Sequence, residues 1–337
     1  MKLVTIGVNE DGQRVDRLVG KLIPRAEKGL IYKAIRKKIV TLNGKKTEPD
    51  VRVKEGDELR LFFSDDTLKD LGGTGAESRT GEQKSKGGNI SVKGYVFGEN
   101  IIYEDSDVIL VYKPEGILTQ GAGDVSLNDL LIDYLDETGK LSGTGETFRP
   151  SVCNRLDRNT SGIVVCGCSL KGLRVMSALI HDRRLRKYYL CAVKGVISEE
   201  GDLKGWLVKD EKTNKVRVFK NKPDDPGALN IETRFKPLTT SHDMTLLEVE
   251  LVTGRPHQIR AHMASIGHPV VGDPKYGDAA FNRFVATKFG IRHQMLTAWK
   301  LIFPKDCGEC TDLSEKEFTV KTVPWGRGLW VMPVRQE

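Results

Sequence analysis

Apolar residues recur with helical spacing in two segments near the N-terminus of this 337-residue chain, QRVDRLVGKLI and KGLIYKAIRKK. Both segments have one apolar face and one basic face, so we predict a pair of short helices over residues 14–38. A short strand pattern follows, and Asn43-Gly44 is typical of a tight hairpin turn between strands. The pattern therefore predicts a small α/β unit over residues 12–63.

The next stretch, SDDTLKDLGGTGAESRTGEQKSKGGN, is rich in Gly, Ser, Lys, Glu and Thr and has few large apolar residues. Such a composition cannot bury a core, so we predict a flexible linker over residues 64–96. Its glycines resemble a phosphate-binding loop only superficially. No strand leads into them and no helix follows, and the loop works only in that context.

From residue 98 onward, strand-like and helix-like patterns are mixed. Strands are predicted at 108–112, 163–167, 187–195, 244–252 and 298–304, and helices at 126–135, 170–182 and 257–267. Strands outnumber helices, and several neighbouring strands are close enough for hairpin connections. We therefore predict an α+β fold with a mainly antiparallel, mixed sheet over residues 97–337, rather than a doubly wound sheet.

The formal charge of +7 is concentrated near the N-terminus, where residues 1–60 hold 15 Lys or Arg against 9 Asp or Glu. A compact basic module indicates a polyanionic partner, although solvated surface lysines would give the same composition. No apolar run is long enough to span a membrane, and the N-terminus lacks a secretory signal. We expect a cytoplasmic monomer with no membrane partner.

Six cysteines are present, and only Cys307 and Cys310 have the spacing of metal ligands. The pattern CGC at 166–168 could in principle complete a site of four thiolates, but zinc sites normally show two well-spaced pairs in turns. Cysteine in apolar strand-like runs behaves as a small hydrophobic residue. We therefore expect no metal site and no disulfides.

The segment NRLDRNTSG places Asp157 between Arg155 and Arg158, directly before the apolar run IVVCG. A carboxylate in such a turn either caps the turn or is reactive. Cations nearby favour the ionised form, and an ionised carboxylate can act as a nucleophile or as a general base. The two arginines therefore favour the reactive interpretation of Asp157.

A second polar cluster lies in TGRPHQIRAHMASIGHPVVGDPKYGD, residues 253–278. His257 and His262 are five residues apart and would face different sides of a helix, which argues against zinc. Ile259, Met263 and Ile266 form the predicted apolar stripe. Arg260 would then lie beside this stripe, where it could pair with a carboxylate from another segment.

A third pattern, RKYYLCAVKG, alternates its side chains along a predicted strand, so that one of its two tyrosines faces inward. For a single inward aromatic residue, core packing is the ordinary role.

Together these segments resemble the RluA family of RNA pseudouridine synthases. The family motifs HRLDxxTSG, KxY and TGRxHQIRxH…GHPxxGDxxYG match NRLDRNTSG, KYY at 187–189 and TGRPHQIRAHMASIGHPVVGDPKYG, in the same order. VYKPEG at 111–116 matches the family stretch NKPxG. The N-terminal unit resembles an S4 RNA-binding domain. This pairing of domains is most similar to the RluC and RluD branch, which acts on large-subunit ribosomal RNA.

The resemblance implies a role for each matching residue. Asp157 is the nucleophile, which attacks either the uracil base or the anomeric carbon of the sugar. Tyr189 stacks on the uracil and assists proton removal, and Arg260 pairs with Asp157. Arg155 fills the gap left by the flipped uridine, whose extrusion costs a few kcal/mol. The isomerisation needs no metal and no organic cofactor.

Lys33, Arg36, Lys37 and Lys38 of the S4-like unit, together with Arg155 and Arg158, are the predicted RNA-binding residues. The sequence departs from the family at two positions, since Asn154 replaces the usual His and Thr297 stands where relatives often carry His. A transfer RNA synthase and a non-catalytic RNA-binding or ribosome-assembly protein remain alternatives. A glycosidase would need a second carboxylate as acid, and no paired motif supplies one.

Overall fold

The computed structural model describes residues 1–7, 10–71, 94–121, 124–141, 148–210, 213–321, 323 and 325. The chain forms two compact units. The first comprises residues 1–90 and 132–150, and the second comprises residues 91–131 and 151–337.

The first unit contains a small antiparallel sheet with the strand order β1–β4–β2–β3. Its elements are β1 (Lys2–Thr5), α1 (Val15–Leu22), α2 (Lys28–Arg36), β2 (Val40–Leu42), β3 (Lys45–Lys46), β4 (Glu58–Leu61) and α3 (Asp65–Leu71). The apolar faces of α1 and α2 bury Leu18, Ile31 and Ile35 in one core with Leu59 and Leu61 of β4. Burial of these amphipathic faces explains why two such short helices are stable.

This unit is longer at both ends than the predicted residues 12–63. β1 pairs with β4 along its whole length, so the sheet begins near the N-terminus. Beyond residue 63, α3 lies within the predicted linker, and its Leu68 and Leu71 pack against the same core. The helix forms because these two leucines have a core to cover. Most of the predicted linker, residues 72–93, lies outside the described residues.

The second unit is built on a sheet of eleven described strands. The strands are β5 (Ile101–Glu104), β6 (Val108–Lys113), β7 (Ser151–Val152), β8 (Ser161–Gly167), β9 (Arg186–Lys194), β10 (Gly201–Asp210), β11 (Lys215–Phe219), β12 (Leu229–Ser241), β13 (Met244–Leu251), β14 (Leu296–Ile302) and β15 (Glu317–Thr319). Their order is β11–β10–β12–β13–β9–β14–β8–β6–β5, with β15 beside β14 and β7 beside β8.

Among the described strand pairs of this sheet, β14 and β8 run parallel and the others run antiparallel. The predicted α+β architecture with a mainly antiparallel mixed sheet is therefore confirmed. β8 and β9 are buried along nearly their whole length, which explains why their sequences are almost continuously apolar.

The remaining helices are α4 (Leu127–Glu137), whose residues are divided between the two units after Leu131, and α5 (Leu170–His181), α6 (Gln258–Ser265) and α7 (Ala279–Phe289) of the second unit. α5 covers β6 and β8, where Met176 and Leu179 join the core formed by Ile163 and Val165. α7 contributes Val285 to a second core over β9 and β13. In the described part of the chain, no helix combines the length and apolar character needed to cross a membrane.

The predicted apolar stripe of α6 is only partly correct. Ile259 and Met263 are buried, but Ile266 is 38% exposed and Arg260 is almost completely enclosed. The sequence placed Arg260 beside this stripe, at a position where it could pair with a carboxylate from another segment. Here Arg260 is buried because carboxylates compensate its charge.

Candidate active site

Asp157 lies in the loop between β7 and β8, and its side chain is 30% exposed. The residue before it is firmly held, because Thr119 exchanges two hydrogen bonds with the backbone of Leu156, at 2.8 and 3.1 Å. The Thr160 amide donates to the Asp157 carbonyl at 3.0 Å, which closes the turn. The carboxylate is therefore presented to solvent from a loop whose backbone is fixed.

Lys113, at the end of β6, ties this loop to the preceding segment. Its fully buried ammonium donates to the carbonyl oxygens of Pro114, Ile117 and Arg158 at 2.9, 2.8 and 3.0 Å. Burial lowers the pKa of Lys113 to about 7, and the charge of Asp157 partly offsets that effect. Because Arg158 follows Asp157 directly, Lys113 fixes the backbone beside the carboxylate.

Arg260 joins two carboxylates. Its Nη1 donates to Asp157 Oδ2 at 2.7 Å, and its Nε and Nη2 donate to Asp273 at 2.7 and 2.8 Å. The Asp273 side chain has no exposed surface. Burial alone would lower the pKa of Arg260, but the hydrogen bonds and charges of Asp273 and Asp157 raise it, so the guanidinium stays charged.

The strand register places four residues in one row across the sheet. Lys113 pairs with Gly162, Gly162 with Ala298, and Ala298 with Tyr189, on β6, β8, β14 and β9 in turn. Paired residues on neighbouring strands point to the same face. Lys113 and Tyr189 therefore lie on the same face of the sheet, with two small residues between them. The charge of Asp157 raises the pKa of both side chains.

Tyr189 is buried, and no hydrogen bond among the described residues uses its phenol hydroxyl. Burial, and secondarily the charge of Asp157, raises the pKa of Tyr189. The phenol is therefore neutral over the physiological pH range, and the ring lies within electrostatic reach of the Asp157 carboxylate.

The prediction that one of the two adjacent tyrosines faces inward is incomplete, because both are buried. Tyr188 faces the other side of the sheet, where Lys300 and Arg186 lie over its ring at 4.4 and 5.1 Å. Lys300 is itself buried and pairs with Glu248 at 3.1 Å, so a compensated cation covers the ring, which strand alternation alone does not reveal.

Tyr276 connects Arg260 to the hairpin of β10 and β11. Its ring lies 5.2 Å from the Arg260 guanidinium, and its hydroxyl accepts from the Val216 amide at 2.8 Å. The same hydroxyl is 2.9 Å from Nδ1 of His257, whose pKa is lowered mainly by burial. Asp273 also accepts from the Tyr276 amide, so one carboxylate positions both the arginine and the ring beneath it.

The two arginines beside Asp157 do not supply its ion pair. Arg158 pairs with Asp124 at 2.9 Å, and Arg155 is exposed with no ion pair to a described residue. Proximity in the sequence therefore did not identify the ion-pair partner of Asp157. The ion pair of Asp157 is formed by Arg260, the residue that the family resemblance assigned to it.

The two departures from the family motif have clear local roles. The Asn154 side-chain oxygen accepts from the Val165 amide at 2.8 Å and so joins the Asp157 loop to β8. The Thr297 hydroxyl is 2.8 Å from that of Ser161, between the parallel strands. Both side chains are satisfied within the fold.

The histidines and cysteines do not form a ligand cluster, because no described group of three His, Cys, Asp or Glu side chains could hold a metal. His262 is buried against the Thr233 hydroxyl at 3.0 Å, and burial lowers its pKa to about 4. His268 contacts the Lys194 carbonyl instead. Cys307 and Cys310 are free thiols in the core beneath α5.

Lys33, Arg36, Lys37 and Lys38, the predicted RNA-binding residues of the first unit, are all exposed at the end of α2 or just after it. None of them forms an ion pair with a described residue. These basic side chains are therefore available to a polyanion.

Asp273, Tyr276 and Lys113 were not selected from the sequence. The available signal for Asp273 was an acidic residue directly after the apolar pair Val270-Val271 and a glycine, where a carboxylate is buried only if it is paired. Lys113 carried a similar signal at the end of an apolar strand. Tyr276 and Asp273 are also the fixed Tyr and Asp of the family pattern GDxxYG, which was a signal for both residues, although the partners of Tyr276 come from distant segments.

Comparison with known proteins gives one consistent result. A family model described as RNA pseudouridylate synthase matches residues 107–265. An uncharacterized RNA pseudouridine synthase of Mycoplasma genitalium is 30% identical over 323 residues, which cover 94% of both chains. The ribosomal large subunit pseudouridine synthase C of Vibrio cholerae is 28% identical over 312 residues, 90% of both chains.

The fold has a counterpart among solved structures. Human RNA pseudouridylate synthase domain containing 4 superposes with a TM-score of 0.55 at 20% identity, covering 68% of this chain and 90% of that one. At this identity the likeness concerns the fold alone.

Proposed function

The chain belongs to the RNA pseudouridylate synthase family and is an isomerase that acts on RNA, and from this premise we propose that its substrate is uridine in large-subunit ribosomal RNA. The similarity to a synthase named for the large ribosomal subunit, over 90% of both chains, supports this target. A cytoplasmic location and a monomeric enzyme are part of the proposal.

The observation that carries the mechanism is the ion pair of Asp157 with Arg260 beside the buried Tyr189. Asp157 is partly exposed and attacks the flipped uridine, at the base or at the anomeric carbon. The bond between N1 and the sugar breaks, the uracil turns, and a bond forms from C5 to the same sugar carbon. C5 loses its proton and N1 gains one, so the reaction is balanced without a cofactor.

Arg260 holds the Asp157 carboxylate in a fixed direction before the nucleotide arrives. Preorganised charge of this kind needs no rearrangement during the reaction. Tyr189 stacks against the uracil as a neutral phenol, because its raised pKa disfavours the phenolate. That protonation state favours a stacking and orienting role in the resting enzyme.

Arg155 and Arg158 contact the RNA around the vacated position. Both are exposed, and Arg155 has no competing ion pair with a described residue. The planar guanidinium of Arg155 can stack on the bases exposed when the uridine leaves, which offsets part of the cost of extrusion.

The first unit binds the same RNA as an S4-like module, through Lys33, Arg36, Lys37 and Lys38. Their exposure on one helix end supports phosphate binding, which releases counterions and makes affinity depend on salt. Changing all four to Gln is expected to weaken RNA binding and to flatten its salt dependence. Unchanged affinity and an unchanged salt slope would remove this role.

The activity is tested by tritium release from 5-tritiated uridine in large-subunit ribosomal RNA transcripts. The unmodified protein should release tritium, and Asp157→Asn should abolish the release. Asp306→Asn is the matched control, because Asp306 is an exposed carboxylate paired with Arg184 beyond the opposite end of β14, and it should leave the rate unchanged.

Transfer RNA transcripts assayed in parallel separate the two RNA classes. Release from transfer RNA but not from ribosomal RNA would replace the proposed target and keep the chemistry. RNA binding without release from either class would favour a non-catalytic RNA-binding protein.

A further inference from the structure

Lys187 is a buried cation without a partner. Only 8% of the residue is exposed, yet its ammonium makes no hydrogen bond or ion pair with a described residue. Burial, and secondarily the charge of Arg183, lowers its pKa, so the local environment disfavours the charge. Buried lysines are rare unless they are paired, because an uncompensated charge is costly in a low-dielectric site.

The position of Lys187 relates it to the active site. It precedes Tyr189 by two residues on β9, so both side chains lie on the same face of the sheet. Two residues along a strand correspond to about 7 Å. Lys187 is therefore one step along the strand from the ring that stacks on the uracil.

The surroundings of Lys187 are open on one side and positive. Gly254 is exposed, and a Cβ at this position would lie 3.4 Å from the Lys187 Nζ, so the missing side chain leaves the ammonium accessible. The next residue, Arg255, has a buried Nε with no hydrogen-bond partner. No ion pair among the described residues uses Lys187, Arg183 or Arg255.

We propose that Lys187, beside Gly254 and Arg255, binds a backbone phosphate of the RNA next to the target uridine. This inference rests on the proposed function. A phosphate supplies the missing counter-charge, and a glycine permits the RNA backbone to come within hydrogen-bond distance of the ammonium. Such a contact positions the strand without reading its sequence, which places the flipped nucleotide between the phosphate site and Asp157.

Lys187→Met tests the proposal on tritiated ribosomal RNA transcripts. We expect KM to rise roughly tenfold, as for loss of one charged hydrogen bond, with kcat within about twofold. The salt dependence of kcat/KM should become shallower by about one unit of log–log slope. Lys305→Met, at an exposed lysine far along the chain, should change neither quantity.

If Lys187 were a packing residue, its replacement would lower the melting temperature of the protein without RNA. The phosphate site predicts no such loss. Because Lys187 has no partner to lose, the melting temperature of Lys187→Met without RNA should equal or exceed that of the unmodified protein. A lower melting temperature together with an unchanged KM would identify Lys187 as a packing residue and overturn the phosphate site.

Gly254→Asp is the second variant. Its carboxylate would lie beside the Lys187 ammonium and compete with phosphate, so KM should rise. Gly254→Ala adds only a Cβ 3.4 Å from the Lys187 Nζ, which narrows the approach, so KM should rise by a smaller factor. An unchanged KM in Gly254→Asp would contradict the site. Failure of the unmodified protein to release tritium from any RNA would overturn the proposed function as well. Normal release with unaltered KM in the Lys187 and Gly254 variants would overturn the phosphate site alone.

Discussion

Asp273 holds Arg260 through two hydrogen bonds, from Nε at 2.7 Å and from Nη2 at 2.8 Å, and the Asp273 side chain is completely buried. This leaves Nη1 to contact Asp157. A guanidinium is planar, so fixing two of its nitrogens fixes the direction of the third. The direction of the proposed nucleophile is thus set by a carboxylate that is fully buried.

Asp273→Asn should lower kcat about a hundredfold, because a misdirected Arg260 no longer orients Asp157. Removing one charge from a buried pair should also destabilise the fold by about 3–5 kcal/mol. Steady-state kinetics below the melting temperature of the variant separate the two effects. Asp278→Asn is the control, since Asp278 caps α7 in the same segment and an Asn retains the cap. An unimpaired kcat in Asp273→Asn would refute the orienting role.

Tyr276→Phe should loosen the hairpin of β10 and β11 while keeping a ring beneath Arg260. The Val216 amide loses its acceptor, at a cost of about 1 kcal/mol locally. Hydrogen exchange at Val216 should therefore accelerate about fivefold, with little change in the core of β8. Tyr103→Phe removes a hydroxyl that bonds Asp105 and should leave exchange in β11 unaltered. Identical exchange at Val216 in Tyr276→Phe and the unmodified protein would show that the hydroxyl does not hold the hairpin.

Lys113 should make the free energy of unfolding increase as the pH rises above neutrality. Its folded-state pKa of about 7 lies below the ordinary value of 10.5, so between these values the unfolded chain binds more protons. Stability from this group therefore increases by about 1.4 kcal/mol per pH unit as the pH rises through that window. It is lost as the pH falls from 10.5 to about 7, and it is constant below that.

Urea unfolding of the unmodified protein and Lys113→Met at several pH values from 6 to about 9.5 measures this effect. The stability advantage of the unmodified protein should grow with pH above about 7. Lys305→Met, at an exposed site, should give a flat difference. A difference for Lys113→Met that is flat or falls with pH would mean that the buried amine keeps its ordinary protonation.

Gly162→Ala should be strongly destabilising, because a Cβ at residue 162 would lie 2.2 Å from the Ala298 carbonyl oxygen and the backbone φ is +124°. Overpacking and strain together should cost at least about 2 kcal/mol. Gly29→Ala, which meets open space within helix α2, should be neutral or slightly stabilising. Equal melting temperatures for the two variants would show that β8 and β14 can separate without cost.

The sequence predicts some residues of the candidate active site and not others. Asp157, Tyr189 and Arg260 were selected from their motifs and the family resemblance, and the structure brings Asp157 and Arg260 into contact although 103 residues separate them. Arg155 and Arg158 stay predicted RNA-binding residues, and neither of them forms the ion pair with Asp157, because Arg158 pairs with Asp124 and Arg155 has no ion pair with a described residue. In the sequence Lys187 is only the first residue of the motif KxY, because the lack of a partner for its ammonium is visible only in three dimensions.

The sequence alone determined the periodicity of the elements, the mainly antiparallel fold and the loop that carries Asp157, because these depend on local patterns of apolar residues and turns. The tertiary structure decided which side chains meet. Strand register aligned Lys113, Gly162, Ala298 and Tyr189, and burial paired Arg260 with Asp273. Register and charge compensation depend on contacts between segments distant in the chain, so no local pattern encodes them.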